Sequence, residues 1–301
     1  MRTGLLFVHA LSPLHAGTGQ SVGAVDLPIA RDRATGYPYM PGSGLKGSLR
    51  GRSYELKRPD TTTVFGPETT NAHEHAGALA VGDANLVLLP VRSVAGTFAY
   101  ATSPWLLARF ARDAKEVENS KVVDGVSPPP RVPEITSVEH CIVAENTILR
   151  TPVGNAQKIV FEDLDLSPQE NLREDGKSWA GYLGQLLFPG DAEWQSLLSK
   201  RFCIVHDDVM GFFSRYGTDV VTRVAIDRET GTAKERQLWN EESLPVETVL
   251  SSLLVVQTLK EVQVSAVFEA MKALTQGSIQ LGGKGTVGRG RCRLVLAGGA
   301  A

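Results

Sequence analysis

Residues 4–28 read GLLFVHALSPLHAGTGQSVGAVDLP, and this stretch joins two segments of opposite character. Residues 4–11 are apolar apart from His9 and predict a buried strand. Residues 15–28 contain three glycines, an imidazole at the start and one carboxylate, Asp26, near the end. From these residues alone, Asp26 is interpreted as part of an Asx-type turn before Pro28.

Outward from this stretch, each end of the chain contains a strand–helix–strand unit. At the N-terminal end, a helix over residues 44–57, with Ser43 as its predicted N-cap, separates the first strand from strands within residues 78–93. At the C-terminal end, the strand SSLLVVQTLK, a helix from Val264 and the strand RCRLVLA follow one another. Two such units are the halves of a ferredoxin-like βαββαβ sheet, so the predicted class is α+β.

The regions between these units are predicted to decorate one domain that spans residues 1–301. Its core is expected from residues 1–115 and 201–301, and residues 116–200 are insertion-rich. Between the units, TFAYAT predicts a strand and SPWLLARFARDAK a helix with Ser103 as its cap and Pro104 at its first position. Residues 119–158 are rich in loop signals and no elements are assigned there.

The composition is that of a globular chain. Its 301 residues are 42% hydrophobic and 21% charged, and no segment offers the roughly 18 uncharged apolar residues of a membrane span. Cys141, Cys203 and Cys292 are far apart and form no CxxC pair. This spacing predicts a reducing, cytoplasmic location and argues against a thiolate metal site.

Two basic segments are interleaved with glycine rather than with acids, at residues 46–58 and 282–293. Glycine lets a partner's backbone come close, and lysine and arginine neutralise phosphates, although a solvated surface is the alternative. Two stretches match GxGxxG, GSGLKG at residues 42–47 and GKGTVG at residues 283–288, but both lack the strand–turn–helix context of a dinucleotide site. The stretch PGSGLKG is instead interpreted as a phosphate site at a helix N-terminus or as a simple turn that leads into the helix.

Four blocks of the chain carry a family resemblance. They are residues 11–50, 77–107 (GALAVGDANLVLLPVRSVAGTFAYATSPWLL), 238–250 (LWNEESLPVETVL) and 282–294 (GGKGTVGRGRCRL). Together they resemble the RAMP superfamily of CRISPR-associated proteins, and within it the repeated backbone subunits of type III-B (Cmr) effector complexes. The resemblance extends along nearly the whole chain and is weakest over residues 115–200.

The resemblance implies an RRM-like, ferredoxin-type core. Copies of this chain would assemble with other Cmr subunits into a helical filament along a guide crRNA. Each copy would cleave the paired, complementary target RNA as an endoribonuclease that depends on a divalent cation, Mg²⁺ or Mn²⁺.

Residues 15–28 would form the active-site loop, with Asp26 as the catalytic aspartate that binds the cation or accepts the proton of the RNA 2′-OH. His15 is the second catalytic candidate, as a proton shuttle; alternatively it hydrogen-bonds the loop or stacks near a base. The residues that the resemblance places along the guide RNA are Ser43, Gly44, Lys46, Arg50, Gly283, Lys284, Gly285, Gly288 and Arg289.

Residues 215–242 are predicted to form a long β-hairpin. Residues 218–226 alternate as a strand, DRETGTA is a turn, and the chain returns through KERQLW. The resemblance implies that this hairpin is a thumb that wedges into the guide–target duplex and sets regular cleavage intervals. A surface hairpin without such a role is the alternative.

Two further clusters compete for a function. The HEH sequence at His73, Glu74 and His75 suggests a metal-binding loop or solvated residues, and the spacing is not HExxH. In the HDD sequence that starts at His206, Asp208 is predicted to cap a helix. Three hypotheses therefore remain: an RNA-cleaving filament subunit, an RNA-binding scaffold without nuclease activity, and an unrelated metal hydrolase that uses the HEH loop.

Overall fold

The computed structural model describes residues 2–21, 23–67, 76–120, 126–162, 164–257 and 263–297, without the side chains of residues 235 and 236. Its strands are β1 (Arg2–Ala10), β2 (Tyr39–Met40), β3 (Leu79–Val81), β4 (Ala84–Arg92), β5 (Phe98–Thr102), β6 (His140–Val143), β7 (Arg150–Val153), β8 (Ala156–Phe161), β9 (Leu164–Pro168), β10 (Phe202–Val205), β11 (Asp219–Ile226), β12 (Ala233–Ser243), β13 (Val249–Val256), β14 (Ser278–Gln280) and β15 (Arg291–Ala297). Its helices are α1 (Gly42–Glu55), α2 (Thr61–Phe65), α3 (Pro104–Ser120), α4 (Arg173–Leu187), α5 (Ala192–Arg201), α6 (Asp207–Tyr216) and α7 (Val264–Leu274).

Most strands belong to one large mixed sheet. Its order is β14-β15-β1-β13-β4-β5-β10-β6-β9-β8-β7, with β2 beside β4 and β3 beside β13. Strand β1 pairs antiparallel with β13 and β15, whereas β5 pairs with β10, and β6 with β9, in parallel. The fold is therefore α+β, as predicted.

Strand β1 is buried on both faces of the sheet. Leu6 and Val8 belong to the core that includes the apolar faces of α1 and α7. Leu5 and Phe7 belong to a second core, formed with α3 and α4. Burial on both faces explains why this strand is a continuous apolar run instead of an alternating pattern.

The strands and helices predicted at both ends of the chain are present, but two predicted helix caps are wrong. Helix α1 begins at Gly42, one residue before the predicted cap Ser43, and the Gly42 N–H donates to Asp83 Oδ1 (2.7 Å). At α6 the N-cap is His206, whose Nδ1 accepts the N–H of Asp208 (3.2 Å). In α1 a distant carboxylate takes the place of a local cap, which the sequence pattern does not reveal.

The predicted hairpin is present as β11 and β12. These strands form a separate antiparallel sheet that runs from the pair Asp219–Ser243 at its base to the pair Ile226–Ala233 near its tip. The pairing shifts between Val224 and Ile226, and residues 227–232 form the turn. Among the described side chains the hairpin is largely exposed, apart from the buried Glu241, Glu242 and Ser243 at its base.

Residues 116–200 contain more regular structure than their sequence indicates. Strands β6 to β9 extend the main sheet, and α4 packs beneath β6. The three cysteines are buried and unpaired. In the part of the chain that the structure describes, no helix is long and apolar enough to cross a membrane.

Candidate active site

The two glycine-rich segments of the chain meet at His15. Residues His15 and Gly283 form an antiparallel bridge in which the Gly283 N–H donates to the His15 carbonyl (3.0 Å). A Cβ on Gly282 would lie 2.4 Å from that carbonyl oxygen, and the φ of this residue is +68°. Glycine at position 282 therefore lets the start of the predicted active-site loop contact the C-terminal segment directly.

The His15 side chain is held inside the loop. The residue is 7% exposed, and its Nδ1 lies 2.7 Å from the backbone carbonyl of Glu242. Because a carbonyl only accepts, Nδ1 donates the hydrogen of this bond. A Cβ on Gly17 would lie 2.4 Å from Nε2. The ring thus hydrogen-bonds β12 and packs against Gly17 of the loop, and its catalytic role stays a prediction.

Asp26 is exposed, and strand β12 fixes its carboxylate. Oδ2 accepts the backbone N–H of Asn240 (2.7 Å), while Oδ1 has no partner among the described residues. Next to it, the Leu27 N–H donates to the Asn240 carbonyl (3.0 Å), and the Glu242 N–H donates to the Leu27 carbonyl (3.0 Å). The Asp26 side chain thus accepts its hydrogen bond from strand β12, and not from its own loop as in the Asx-type turn that the loop sequence suggests.

Glu242 lies beneath this loop and is 5% exposed. Its Oε2 accepts the N–H of Ile29 (3.1 Å), and its Oε1 accepts from Arg31 Nη2 (2.5 Å) and from the Thr218 hydroxyl (2.9 Å). Arg31 also donates to the carbonyl of Ser214 (2.8 Å). The buried carboxylate therefore joins the end of the Asp26 loop to the base of the hairpin.

Glu241, on the opposite face of β12, is surrounded by donors and cations. Oε1 lies 3.0 Å from Lys284 Nζ and accepts the indole N–H of Trp239 (2.8 Å), and Oε2 lies 3.5 Å from Arg223 Nε. Burial acts to raise the pKa of Glu241, but the contacts with Trp239 and Lys284 outweigh it and hold the pKa below its ordinary value. The carboxylate is therefore an internal counter-ion for this cationic patch.

The C-terminal glycine-rich segment exposes its backbone around Lys284. Gly283, Gly285 and Gly288 are exposed, and Lys284 itself adopts a left-handed conformation (φ +66°). The side chain of Lys284 remains one-third exposed while it contacts Glu241. This segment thus presents a cation and open backbone on one surface.

Arg289 does not lie on that surface. It is 6% exposed, its Nη1 donates to the Ser243 hydroxyl (2.6 Å), and its Nε lies 3.9 Å from Glu241 Oε2. The prediction of a phosphate contact disagrees with this position, because the guanidinium is buried against β12. Arg289 holds the glycine-rich segment against the hairpin base.

The first basic segment lies on α1. Ser43 and Gly44 are exposed at its start, and Lys46 Nζ donates to the Leu79 carbonyl (2.9 Å). Burial, with a smaller effect from the positive charge of Arg50, lowers the pKa of Lys46. Arg50 donates to the Tyr54 hydroxyl (3.2 Å). No hydrogen bond or ion pair within the described residues joins these side chains to residues 283–289.

The remaining candidate clusters do not form a metal site in the described residues. His73, Glu74 and His75 lie outside them. Asp207 accepts the N–H of Trp105 (2.9 Å), and Asp208 projects from the first turn of α6. Within the described ranges, no three histidine, cysteine, aspartate or glutamate side chains are grouped as cation ligands. Asp26 is therefore a single exposed carboxylate that needs further ligands from elsewhere to hold a cation.

Comparison with known proteins gives one consistent result. Residues 7–293 match the model of the RAMP superfamily. The CRISPR system Cmr endoribonuclease Cmr4 of Pyrococcus furiosus is 32% identical over 302 residues, which cover 98% of this chain and 96% of that protein. The crystal structure of oligomeric Cmr4 from Pyrococcus furiosus has a TM-score of 0.72 at 27% identity and covers 98% of both chains. A chain in the cryo-EM structure of the type III-B Cmr-beta bound to cognate target RNA is similar in fold, with a TM-score of 0.74 at 21% identity and coverage of 98% and 97%.

Proposed function

This chain belongs to the RAMP superfamily, and on that premise we propose that it is a guide-RNA-binding backbone subunit of a type III-B (Cmr) complex that cleaves complementary target RNA. The name of the 32%-identical relative, an endoribonuclease, supports the activity, and the oligomeric crystal structure of Cmr4 supports self-association. The proposed partners are the crRNA, the target RNA, further copies of this chain and other Cmr subunits. The proposed location is the cytoplasm.

One observation carries the catalytic part of this proposal. Asp26 presents an exposed carboxylate whose position is fixed by the Asn240 N–H, on a loop that contacts the open glycine-rich segment at Gly283. RNA supplies its own nucleophile, the 2′-OH, so the protein needs to align it, remove its proton and stabilise charge. We assign Asp26 to this step as the ligand of a divalent cation or as the proton acceptor, because its one free oxygen serves one of these roles at a time. The products are then a 2′,3′-cyclic phosphate and a 5′-hydroxyl.

We propose Mg²⁺ or Mn²⁺ as the cofactor, with Asp26 as its ligand from this chain. Mg²⁺ is commonly held by one or two carboxylates and by substrate phosphates instead of a complete protein cage, and the single free Oδ1 of Asp26 fits that arrangement. The cation would stabilise negative charge on the scissile phosphate. Phosphate oxygens of the RNA would supply the remaining ligands.

The proposal has one competitor, an RNA-binding scaffold without its own nuclease activity. The experiment that separates the two is cleavage of a labelled target RNA by complexes that carry Asp26→Asn. Cleavage at regular intervals that depends on Asp26 supports the nuclease.

We infer a ferredoxin-like core from the order of four strands. Strands β15, β1, β13 and β4 are neighbours in that order and pair antiparallel. In chain order, helix α1 lies between β1 and β4, and α7 lies between β13 and β15. With the continuous sheet, this arrangement supports a single domain over residues 1–301, in which residues 116–200 are an insertion.

We propose that Lys46 and Lys284 contact guide phosphates, together with the exposed backbone of Ser43, Gly44, Gly283, Gly285 and Gly288. Lys46→Ala or Lys284→Ala is expected to weaken binding equally for unrelated guide sequences, because phosphates carry no sequence information. Each substitution should reduce the slope of log affinity against log salt by about 0.7. Filter-binding titrations at several salt concentrations measure both effects.

Lys177→Ala is the matched control, because Lys177 pairs with Glu174 on α4, which packs in the second core, on the face of the sheet opposite to α1. It should leave the salt slope unchanged. A strong preference for one guide sequence, or an unchanged slope for Lys284→Ala, would contradict the phosphate assignment.

We also propose that the β11–β12 hairpin is the thumb that distorts the guide–target duplex. Deletion of residues 229–232 is expected to leave folding and assembly intact, because the hydrogen bonds of this turn are local: Asp227 Oδ1 accepts the N–H groups of Glu229 and Thr230 (2.9 and 3.1 Å). The deletion should change the spacing or the efficiency of target cleavage. Sequencing gels of the products measure this, and an unchanged cleavage pattern from assembled complexes would make the thumb assignment wrong.

A further inference from the structure

We propose that Glu242 is the positioning residue that sets the place of Asp26, and that it couples the Asp26 loop to the hairpin. This inference rests on the proposed function, in which Asp26 acts on RNA. In this proposal Glu242 does not contact the reacting atoms of the RNA. It acts through the loop, whose two ends it holds at once.

The entrance of the loop is held by the backbone of Glu242. Its carbonyl accepts the Nδ1–H of His15 (2.7 Å), and this imidazole is buried. Because His15 also bridges Gly283, the same contact fixes the glycine-rich segment that faces the loop. One backbone oxygen therefore locates the first residue of the loop.

The exit of the loop is held by the backbone and the side chain of Glu242. The Glu242 N–H donates to the Leu27 carbonyl, directly after Asp26 (3.0 Å). The carboxylate accepts the N–H of Ile29 (3.1 Å) and the guanidinium of Arg31 (2.5 Å). Asp26 thus lies between two segments that are both tied to Glu242, and its own carboxylate is tied to Asn240, two residues earlier in the same strand.

The negative charge at this position matters because the carboxylate accepts three donors while it is buried. Its partners are a backbone N–H, a guanidinium and the hydroxyl of Thr218 (2.9 Å). A glutamine here would place an NH₂ group against one of these donors and would leave the charge of Arg31 without its buried counter-ion. Arg31 is already bound to the carbonyls of Gly36 and Ser214, so it cannot turn away without loss of those contacts.

The same residue joins the loop to the hairpin. Glu242 belongs to β12, and its pair across the hairpin is Val220 of β11. A displacement of the hairpin base therefore moves Asn240 and Glu242 together, and with them Asp26. Target RNA that contacts the hairpin would therefore determine the position of the Asp26 carboxylate through strand β12.

The test uses complexes that carry Glu242→Gln and are reconstituted with guide RNA. Cleavage of a labelled target RNA is measured under single-turnover conditions at several complex concentrations. We expect the maximal rate to fall by about 10- to 100-fold, because a displacement of about 1 Å in a catalytic group has an effect of this size. The half-saturating concentration should stay within about threefold, because the proposed phosphate contacts are untouched. If Glu242→Gln does not fold, Thr218→Val removes one donor to the same carboxylate and should lower the maximal rate in the same direction.

Glu247→Gln is the matched control. Glu247 accepts from His9 Nε2 (2.8 Å) and from the Tyr100 hydroxyl (2.7 Å), so its loss also disturbs a partly buried carboxylate. It should lower the melting temperature and leave the maximal rate unchanged.

An equal loss of rate in both variants, or a normal rate in Glu242→Gln, overturns the positioning role. If Asp26→Asn cleaves normally, the proposed function fails and this inference with it, whereas a normal Glu242→Gln beside an inactive Asp26→Asn overturns only the inference.

Discussion

Complexes that carry Asp26→Asn are expected to assemble and pair with target RNA normally and to lose target cleavage. Asparagine is nearly isosteric and still offers an oxygen to the Asn240 N–H, so the loop should keep its place. It cannot accept a proton or offer a charged oxygen to a cation. Loss of a general base alone costs about 10²–10⁴-fold in rate, so the defect should be plain on a denaturing gel of end-labelled target.

The matched control for this substitution is Asp32→Asn. The Asp32 carboxylate accepts the N–H groups of Ala34 and Thr35 (2.8 and 3.1 Å), and these local hydrogen bonds hold its pKa below its ordinary value. Asp32→Asn should therefore affect a turn only and leave cleavage intact. Normal cleavage by Asp26→Asn would reduce Asp26 to a structural residue and favour the scaffold hypothesis.

Local apolar spacing explains why the core elements were predictable. In α7, Val267, Met271 and Leu274 are all buried, as their helical spacing requires, and β15 matches the predicted RCRLVLA segment. Strand β1 is buried on both faces and is therefore a continuous apolar run. Such patterns are contained within a few residues, so no tertiary information is needed to find them.

The environment of Asp26 was not predictable, because it is made from distant parts of the chain. Asn240 lies 214 positions after Asp26, and its contribution is a backbone N–H that no side-chain pattern reports. Glu241 and Glu242 occur in an acidic segment that is typical of solvated surface, yet they are 3% and 5% exposed. One signal for their burial was present in the sequence: two adjacent acids lie within a strand between Leu238 and Leu244. Because successive residues of a strand point to opposite faces, two adjacent acids cannot both lie on the same face of that strand.

The burial of the cations in the second basic segment was also not predictable from the sequence. Lys284 and Arg289 are alike in sequence, as cations between glycines. In the fold, Lys284 is one-third exposed, whereas Arg289 is buried against Ser243 and Glu241. Charge patterning therefore identifies both cations but does not report the burial of either side chain, and burial determines whether a ligand such as a phosphate has access to it.

Removal of divalent cations is expected to reproduce the Asp26→Asn phenotype in the unmodified protein. With EDTA, complexes should still bind target RNA in a monovalent salt buffer, and cleavage should fall by at least about 10²-fold, because charge on the scissile phosphate loses its main stabilising partner.

A target RNA with a single phosphorothioate at the cleavage site tests whether the cation contacts the scissile phosphate. If the cation contacts that phosphate, the substituted target should be cut poorly with Mg²⁺ and be rescued by the softer Mn²⁺, since sulfur is a poor ligand for a hard cation. Because Asp26 is the ligand proposed from this chain, the rescue should be absent in Asp26→Asn. Undiminished cleavage in EDTA would instead assign proton transfer to Asp26 without a cation and leave charge stabilisation to the chain's own donors near Lys284.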